Sequence, residues 1–213
     1  MNLVDLMVRE QIERRGVSNP RVLTAMRAVP RHEFVPEELH ARAYEDRALP
    51  IGWEQTISQP YIVAFMTEAL DPQPEDRVLE IGTGCGYQAA VLSLLVREVC
   101  TIEIVEPLAE QAAETLRRLG YGNVRVRCGD GHRGWIEEAP FDSIIVTCAP
   151  KEIPAALVEQ LKDGGRMIIP VGACGAQELI LLEKQGGTME RRSVMRVAFV
   201  PMTRGGKGDG DAL

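Results

Sequence analysis

The chain has 213 residues, 45% hydrophobic and 26% charged, with a formal net charge of −7. That is the balance of one globular domain rather than a disordered chain, and it can bury a core without disulfides or metal. The acidic balance argues against wide contact with duplex phosphate, and no apolar run is long enough to cross a bilayer.

The N-terminus, MNLVDLMVREQIERRG, mixes acids and bases among its apolar residues, unlike a signal peptide. Residues 2–15 carry Leu3, Leu6, Met7 and Glu10 at helical spacing, and Gly16 ends the run. Ser18-Asn19-Pro20 starts a second helix, with a cap residue ahead of a proline. Pro30, Pro36 and Pro50 punctuate short elements, and the stretch from Tyr44 to Gln59 has no clean period and reads as an ordered loop. Pro60 opens a helix that runs to Leu70.

From Asp76 the pattern alternates. Strands are predicted over 77–82, 100–105, 124–129, 141–150 and 165–172, and helices over 87–97, 107–119 and 154–162. The 141–150 run is nearly all apolar, as a strand covered on both faces requires. Two further strands follow over 177–185 and 193–202. The class is therefore α/β, with a single doubly wound, mostly parallel, Rossmann-like sheet and an N-terminal helical extension. The expected organisation is a helical and loop region over 1–75 packed on a core over 76–203, with a flexible glycine-rich tail over 204–213. The five cysteines (Cys85, Cys100, Cys128, Cys148 and Cys174) include no CxxC pair. They suggest neither zinc nor a disulfide framework, and read as reduced thiols of a cytosolic protein.

The sharpest feature is Glu80-Ile81-Gly82-Thr83-Gly84-Cys85-Gly86-Tyr87, which ends a predicted strand and opens a predicted helix. Glycines there permit a tight turn with positive φ and let a ligand approach the backbone. In open α/β sheets the ligand lies beyond the carboxyl ends of the strands. Nucleotide-binding and methyl-donor folds share such loops, and a bare strand-to-helix turn needs no ligand at all. The spacing separates these readings. The dinucleotide pattern is G-x-G-x-x-G, whereas here it is G-x-G-x-G preceded by an acid. S-adenosyl-L-methionine has no pyrophosphate; it carries a sulfonium, an amino group and a ribose diol, so its site wants acceptors. Glu103 ends the second core strand, where a ribose acceptor is expected, and a carboxylate can accept from both hydroxyls. Asp130 and Gly131 end the third, where an adenine could be met, though Gly-Asp-Gly is also common turn chemistry.

Further segments complete a pattern. AYEDRALPIG (43–52), Gln55-Thr56-Ile57-Ser58-Gln59-Pro60, GDGHRGW (129–135), PFDSIIVTCAP (140–150), LKDGGRMIIPVG (161–172) and FVPMT (199–203) resemble the protein-L-isoaspartate O-methyltransferase family. The match runs from the first helix to about Thr203, and the Thr56–Pro60 stretch is its most specific part. The resemblance implies methyl transfer from S-adenosyl-L-methionine to the α-carboxylate of isoaspartyl residues in damaged proteins and peptides. The ester then closes to a succinimide, whose hydrolysis returns some normal aspartyl bonds. It also implies a cytoplasmic setting, no metal, and neither nucleic acid nor membrane as partner.

Carried over residue by residue, the resemblance marks Ser58 as catalytic. It puts Thr56, Ile57, Gln59 and Val63 beside the donor, with Val63 standing where some relatives carry a polar residue. It makes Glu80, Gly82, Thr83, Gly84, Gly86, Tyr87, Glu103, Asp130, Gly131 and Thr203 cofactor-binding. The implied nucleophile, an α-carboxylate with a pKa of about 3.5, is ionised at neutral pH and needs no general base. Ser58 is then a hydrogen-bond donor to it or a positioner of the cofactor, although Ser58 or Gln59 ahead of Pro60 also suits helix capping. His32, His40 and His132 read as structural or exposed, and Trp53 and Trp135 as core or rim packing. The alternative is a methyltransferase of a small-molecule acceptor on the same fold. The glycine spacing argues against a dinucleotide reductase, and the intact loop and acids argue against a non-catalytic module.

Overall fold

A computed structural model of the chain describes residues 2–204, so the predicted tail lies outside the described residues except for Arg204. The N-terminal region is helical. Helix α1 (Leu3–Leu6) is capped by Asn2, whose side chain accepts from the Asp5 N–H at 2.8 Å. It continues as a π-helical stretch over Met7–Ile12, and Gly16 turns the chain at φ 99°. Helix α2 (Pro20–Ala28) begins where the sequence places it, with Asn19 Oδ1 accepting from the N–H groups of Arg21 and Val22.

Between Tyr44 and Gln59 the structure differs from the sequence reading. Strands β1 (Leu49–Gly52) and β2 (Gln55–Ile57) pair as an antiparallel hairpin rather than a loop. Its tip residues, Trp53 and Glu54, sit at φ 47° and 58°. A type I′ turn needs such a left-handed pair and favours Asn-Gly, so Trp-Glu gives no signal. Helix α3 (Pro60–Leu70) follows as predicted.

The core then runs β3 (Arg77–Ile81), α4 (Tyr87–Ser93), β4 (Glu98–Glu103), α5 (Glu106–Arg118), β5 (Val124–Cys128), β6 (Phe141–Val146), α6 (Ala155–Gln160), β7 (Leu161–Val171), β8 (Gln177–Gln185) and β9 (Thr188–Val197). Several boundaries move: β6 ends at Val146 rather than 150, β7 begins at Leu161 rather than 165, and β9 ends at Val197 rather than 202. Helix α4 stops at Ser93, four residues early, and the Arg97 and Glu98 N–H groups bond to the Asp76 carbonyl as β4 begins. Strand β9 starts at Thr188 rather than 193, because Gly186 and Gly187, at φ 58° and 78°, make a tight hairpin from β8.

The seven strands lie in the order β5-β4-β3-β6-β7-β8-β9; β5 through β7 are parallel, and β8 and β9 antiparallel. Chain order reverses between β3 and β6, which opens a crevice at the carboxyl ends of these strands. Alternate residues feed two cores. Val78, Ile145 and Ile168 pack with Met7, Ile12 and Met26 of the N-terminal region on one face. Leu79, Ile81, Ile144 and Val146 pack with Leu157 of α6 on the other. The N-terminal helices therefore cover one side of the sheet and share its core.

Gly86 caps α4 at φ 90°, and a Cβ there would come within 3.1 Å of Leu116 Cδ1 on α5. Gly86→Ala is expected to cost about 1–3 kcal/mol, from left-handed strain and crowding, measured as a lowered midpoint in urea unfolding.

Candidate active site

The strand ends converge on one cleft. Its floor is the loop from β3 to α4. Gly82 sits at φ 93°, and a Cβ there would lie 2.5 Å from Thr147 Oγ1. That hydroxyl donates to the carbonyls of Ile81 at 3.0 Å and Gly82 at 2.6 Å, tying the loop to the end of β6. Gly84, at φ 54°, offers its N–H to Glu103 Oε2 at 2.8 Å. Glu103 Oε1 accepts from the Ile104 and Val105 N–H groups at 2.9 and 3.0 Å. This buried carboxylate holds the loop against β4 and keeps an acceptor position on Oε2 for a ligand hydroxyl. Gly131 presses on Ile81 so closely that no side chain fits there.

Glu80 is fully buried. Its Oε2 accepts from the Thr101 hydroxyl at 2.6 Å, and Thr101 also meets the Thr83 hydroxyl at 2.6 Å. Its Oε1 has no partner among the described residues. Burial pushes the Glu80 pKa up to about 8; the Thr101 bond opposes this and the Glu103 charge adds to it. An unpartnered buried carboxyl oxygen beside a second carboxylate with acceptor capacity suits a ligand that brings an ammonium and a ribose diol. These residues therefore fit S-adenosyl-L-methionine. Two thiols share the wall: burial pushes Cys85 up to about 11 and Cys148 up to about 12.

The opposite wall comes from β2 and the residue after it, Gln55 to Ser58. The Ser58 carbonyl accepts from Arg31 Nη2 at 2.7 Å. The capping expectation for this segment is not realised, since no side chain caps the start of α3. A third wall is the strand-like segment after β9. Gln177 clamps Phe199 through bonds of 2.6 and 3.0 Å, and Ala149 pairs with Val200 and Met202 at 2.8 and 2.9 Å. This brings Val200 to Thr203 against the cleft.

Of the residues singled out in the sequence, Thr56, Ile57, Ser58, Val63, Glu80, Gly82, Thr83, Gly84, Tyr87, Glu103, Gly131 and Thr203 line this one cleft. Three stand outside its lining. The Gln59 amide turns away to Asp46, with bonds of 2.8 and 3.1 Å. Gly86 serves the packing of α4 on α5. Asp130 Oδ1 accepts the His132 N–H at 2.9 Å and meets the ring Nδ1 at 3.1 Å. Sequence reasoning missed Gln88, Thr147, Cys148 and Met202 on the wall. Thr147 and Cys148 had a usable signal, because they follow the apolar strand beside the point where strand order reverses.

At pH 7, below about 8, the Glu80 carboxyl holds its proton in the ligand-free protein. A cationic amine placed beside it favours the ionised form, so S-adenosyl-L-homocysteine is expected to release a proton on binding. Calorimetry in buffers of different ionisation enthalpy measures this, and Glu80→Gln should abolish it. The same shift makes the unfolded chain lose its proton first, so the ligand-free protein loses stability from this group as pH climbs from 4.5 to about 8. Glu103→Ala removes the clamp on Gly84 and a ribose acceptor, and calorimetry is expected to show affinity for S-adenosyl-L-homocysteine reduced about tenfold or more.

The sequence pattern of the protein-L-isoaspartate(D-aspartate) O-methyltransferase family (PCMT) matches residues 2–207. The protein-L-isoaspartate O-methyltransferase of Opitutus terrae is 56% identical over 199 residues, which cover 93% of this chain and 85% of that one. A solved protein-L-isoaspartate O-methyltransferase superposes with a TM-score of 0.83 at 31% identity; the match covers 92% of this chain and 65% of that chain's length. A PCMT structure from Plasmodium falciparum, in complex with S-adenosyl-L-homocysteine, shares the fold at a TM-score of 0.82 and 24% identity, covering 96% of this chain and all of the other. The chain belongs to the protein-L-isoaspartate(D-aspartate) O-methyltransferase family.

Proposed function

We propose that this cleft methylates the free α-carboxylate of L-isoaspartyl residues in damaged proteins and peptides. In this reading Ser58 is the catalytic hydrogen-bond donor, and the β3–α4 loop, Glu80 and Glu103 seat the methyl donor. When bound, S-adenosyl-L-methionine supplies a methyl group made electrophilic by its sulfonium. One observation carries the assignment: Ser58 stands on the wall of the same cleft as the glycine loop, with its hydroxyl committed to no helix cap.

The residues need only orient an anion. The acceptor carboxylate, with a pKa of about 3.5, is already ionised, and no histidine lines the cleft among the described residues. Ser58 O–H donates to one carboxylate oxygen and leaves the other to attack in line. Glu103 and the glycine loop hold the reaction partner at the correct depth. Fixing two reactants in attack geometry can supply about 7–11 kcal/mol. Val200 to Thr203 after β9 and the residues of β2 wall the cleft.

We place this work in the cytoplasm. The five cysteines are all free thiols, which supports a reducing compartment, and no helix among the described residues is long and apolar enough to cross a membrane.

Incubation with labelled S-adenosyl-L-methionine is expected to give a base-labile methyl ester on an isoaspartyl peptide and none on the matching aspartyl peptide. Label on the normal peptide alone overturns the assignment. Ser58→Ala should lower kcat/KM for the isoaspartyl peptide by about 10- to 150-fold, equivalent to about 1.5–3 kcal/mol for a charge-assisted hydrogen bond.

A further inference from the structure

A cleft that takes an anion would be expected to present a positive charge, yet its ionisable lining includes Glu80 and Glu103 and the chain carries a net charge of −7. Attraction for a carboxylate therefore has to be local. Arg31 is where the structure supplies it. This side chain is 0% exposed. A buried ion is ordinarily matched by an opposite charge. Among the described residues, Arg31 makes no ion pair. Its Nε donates to the Ala43 carbonyl and its Nη2 to the Ser58 carbonyl, both at 2.7 Å. Its guanidinium carbon lies 4.8 Å from the centroid of the Tyr87 ring, a neutral partner that offsets the charge only in part. Neither its Nη1 nor the buried Tyr87 hydroxyl makes a well-aligned hydrogen bond, although the hydroxyl lies close enough to favour the charged guanidinium. Ser58 and Tyr87 both line the cleft. A cation with no opposite charge beside it is thus tied to the backbone of the serine.

We infer that Arg31 is a positioning residue for the acceptor: its charge draws the substrate α-carboxylate to the Ser58 side of the cleft, and its planar fork fixes the Ser58 backbone so that the hydroxyl meets that carboxylate. This rests on the reading of Ser58 given above. Because the guanidinium is covered, its field acts through protein rather than water, where attraction is diluted far less. Lysine lacks the fork, and a buried lysine gives up its proton readily, so it tests the tether and not the charge.

The test compares two peptides bound in the presence of S-adenosyl-L-homocysteine, which prevents turnover. One carries the isoaspartyl α-carboxylate and the other a neutral carboxamide in its place. The ratio of their affinities reports charge at the acceptor position, and a general loosening of the fold does not move it. The wild-type protein is expected to prefer the anionic peptide by about tenfold or more. Arg31→Gln should bring that preference close to parity while affinity for S-adenosyl-L-homocysteine stays within about threefold of wild type. Arg31→Lys should lower kcat, because the tether on Ser58 is gone. An unchanged preference in Arg31→Gln, or no preference in the wild-type protein, overturns the inference. If Arg31→Gln does not fold, the wild-type preference and the kcat of Arg31→Lys decide. A wild-type protein that methylates the isoaspartyl peptide, alongside an Arg31→Gln variant that still discriminates, removes the role of Arg31 and leaves the function standing. A wild-type protein that methylates no isoaspartyl peptide removes the function itself.

Discussion

Glu103 accepts one backbone N–H from the glycine loop and two from the residues that leave its own strand. These bonds lock the ends of β3 and β4 together at the point where a ligand must lie. Each hydrogen bond to a charged group contributes about 1.5–3 kcal/mol, so the loop cannot relax into an ordinary turn without a large loss. Thr147 extends the same constraint to β6 by bonding to two carbonyls of the loop region. Three strand ends are thereby held in one register. The left-handed glycines are a consequence, since only their conformation lets the chain pass between these fixed points.

The second wall is built from the other end of the chain and needs anchors of its own. Glu68 on α3 accepts the N–H groups of Ser18 and Asn19 at 2.7 and 2.6 Å, which joins the start of α2 to α3. Arg21 reaches the carbonyls of Pro72 and Leu95, binding α2 to the core. Arg31 then spans Ala43 and Ser58, and its ring contact with Tyr87 ties this wall to the first turn of α4. The two walls meet through buried polar contacts as well as through the shared apolar core.

Much of the fold was legible because its signals are local. Proline and glycine mark the ends of α2, α3 and α5, and short, mainly apolar runs mark β3 and β6. The β1–β2 hairpin was not legible, because its turn is made by Trp53 and Glu54 and is imposed by pairing of the flanking strands. The start of β9 was legible in principle from Gly186-Gly187, a good hairpin dipeptide. In the site, Glu80, Glu103 and the glycines were readable as strand-end groups. Gln59, Gly86 and Asp130 show the limit of that reasoning, since each neighbours a cleft residue in sequence yet faces elsewhere. Arg31 carried no signal at all. An arginine between a proline and a histidine reads as surface charge, and only tertiary contacts bury it.

A sulfonium methylates whatever nucleophile reaches it, so the enzyme's choice of target depends on which atoms nearby carry negative charge. Two sulfurs share the cleft, and sulfur is intrinsically the better attacker. Burial raises both thiols well above neutral pH, which leaves them protonated and slow. The visiting carboxylate, far more acidic, is the group that stays anionic. Selectivity against self-alkylation thus follows from a ranking of acidities among the groups that meet in the cleft.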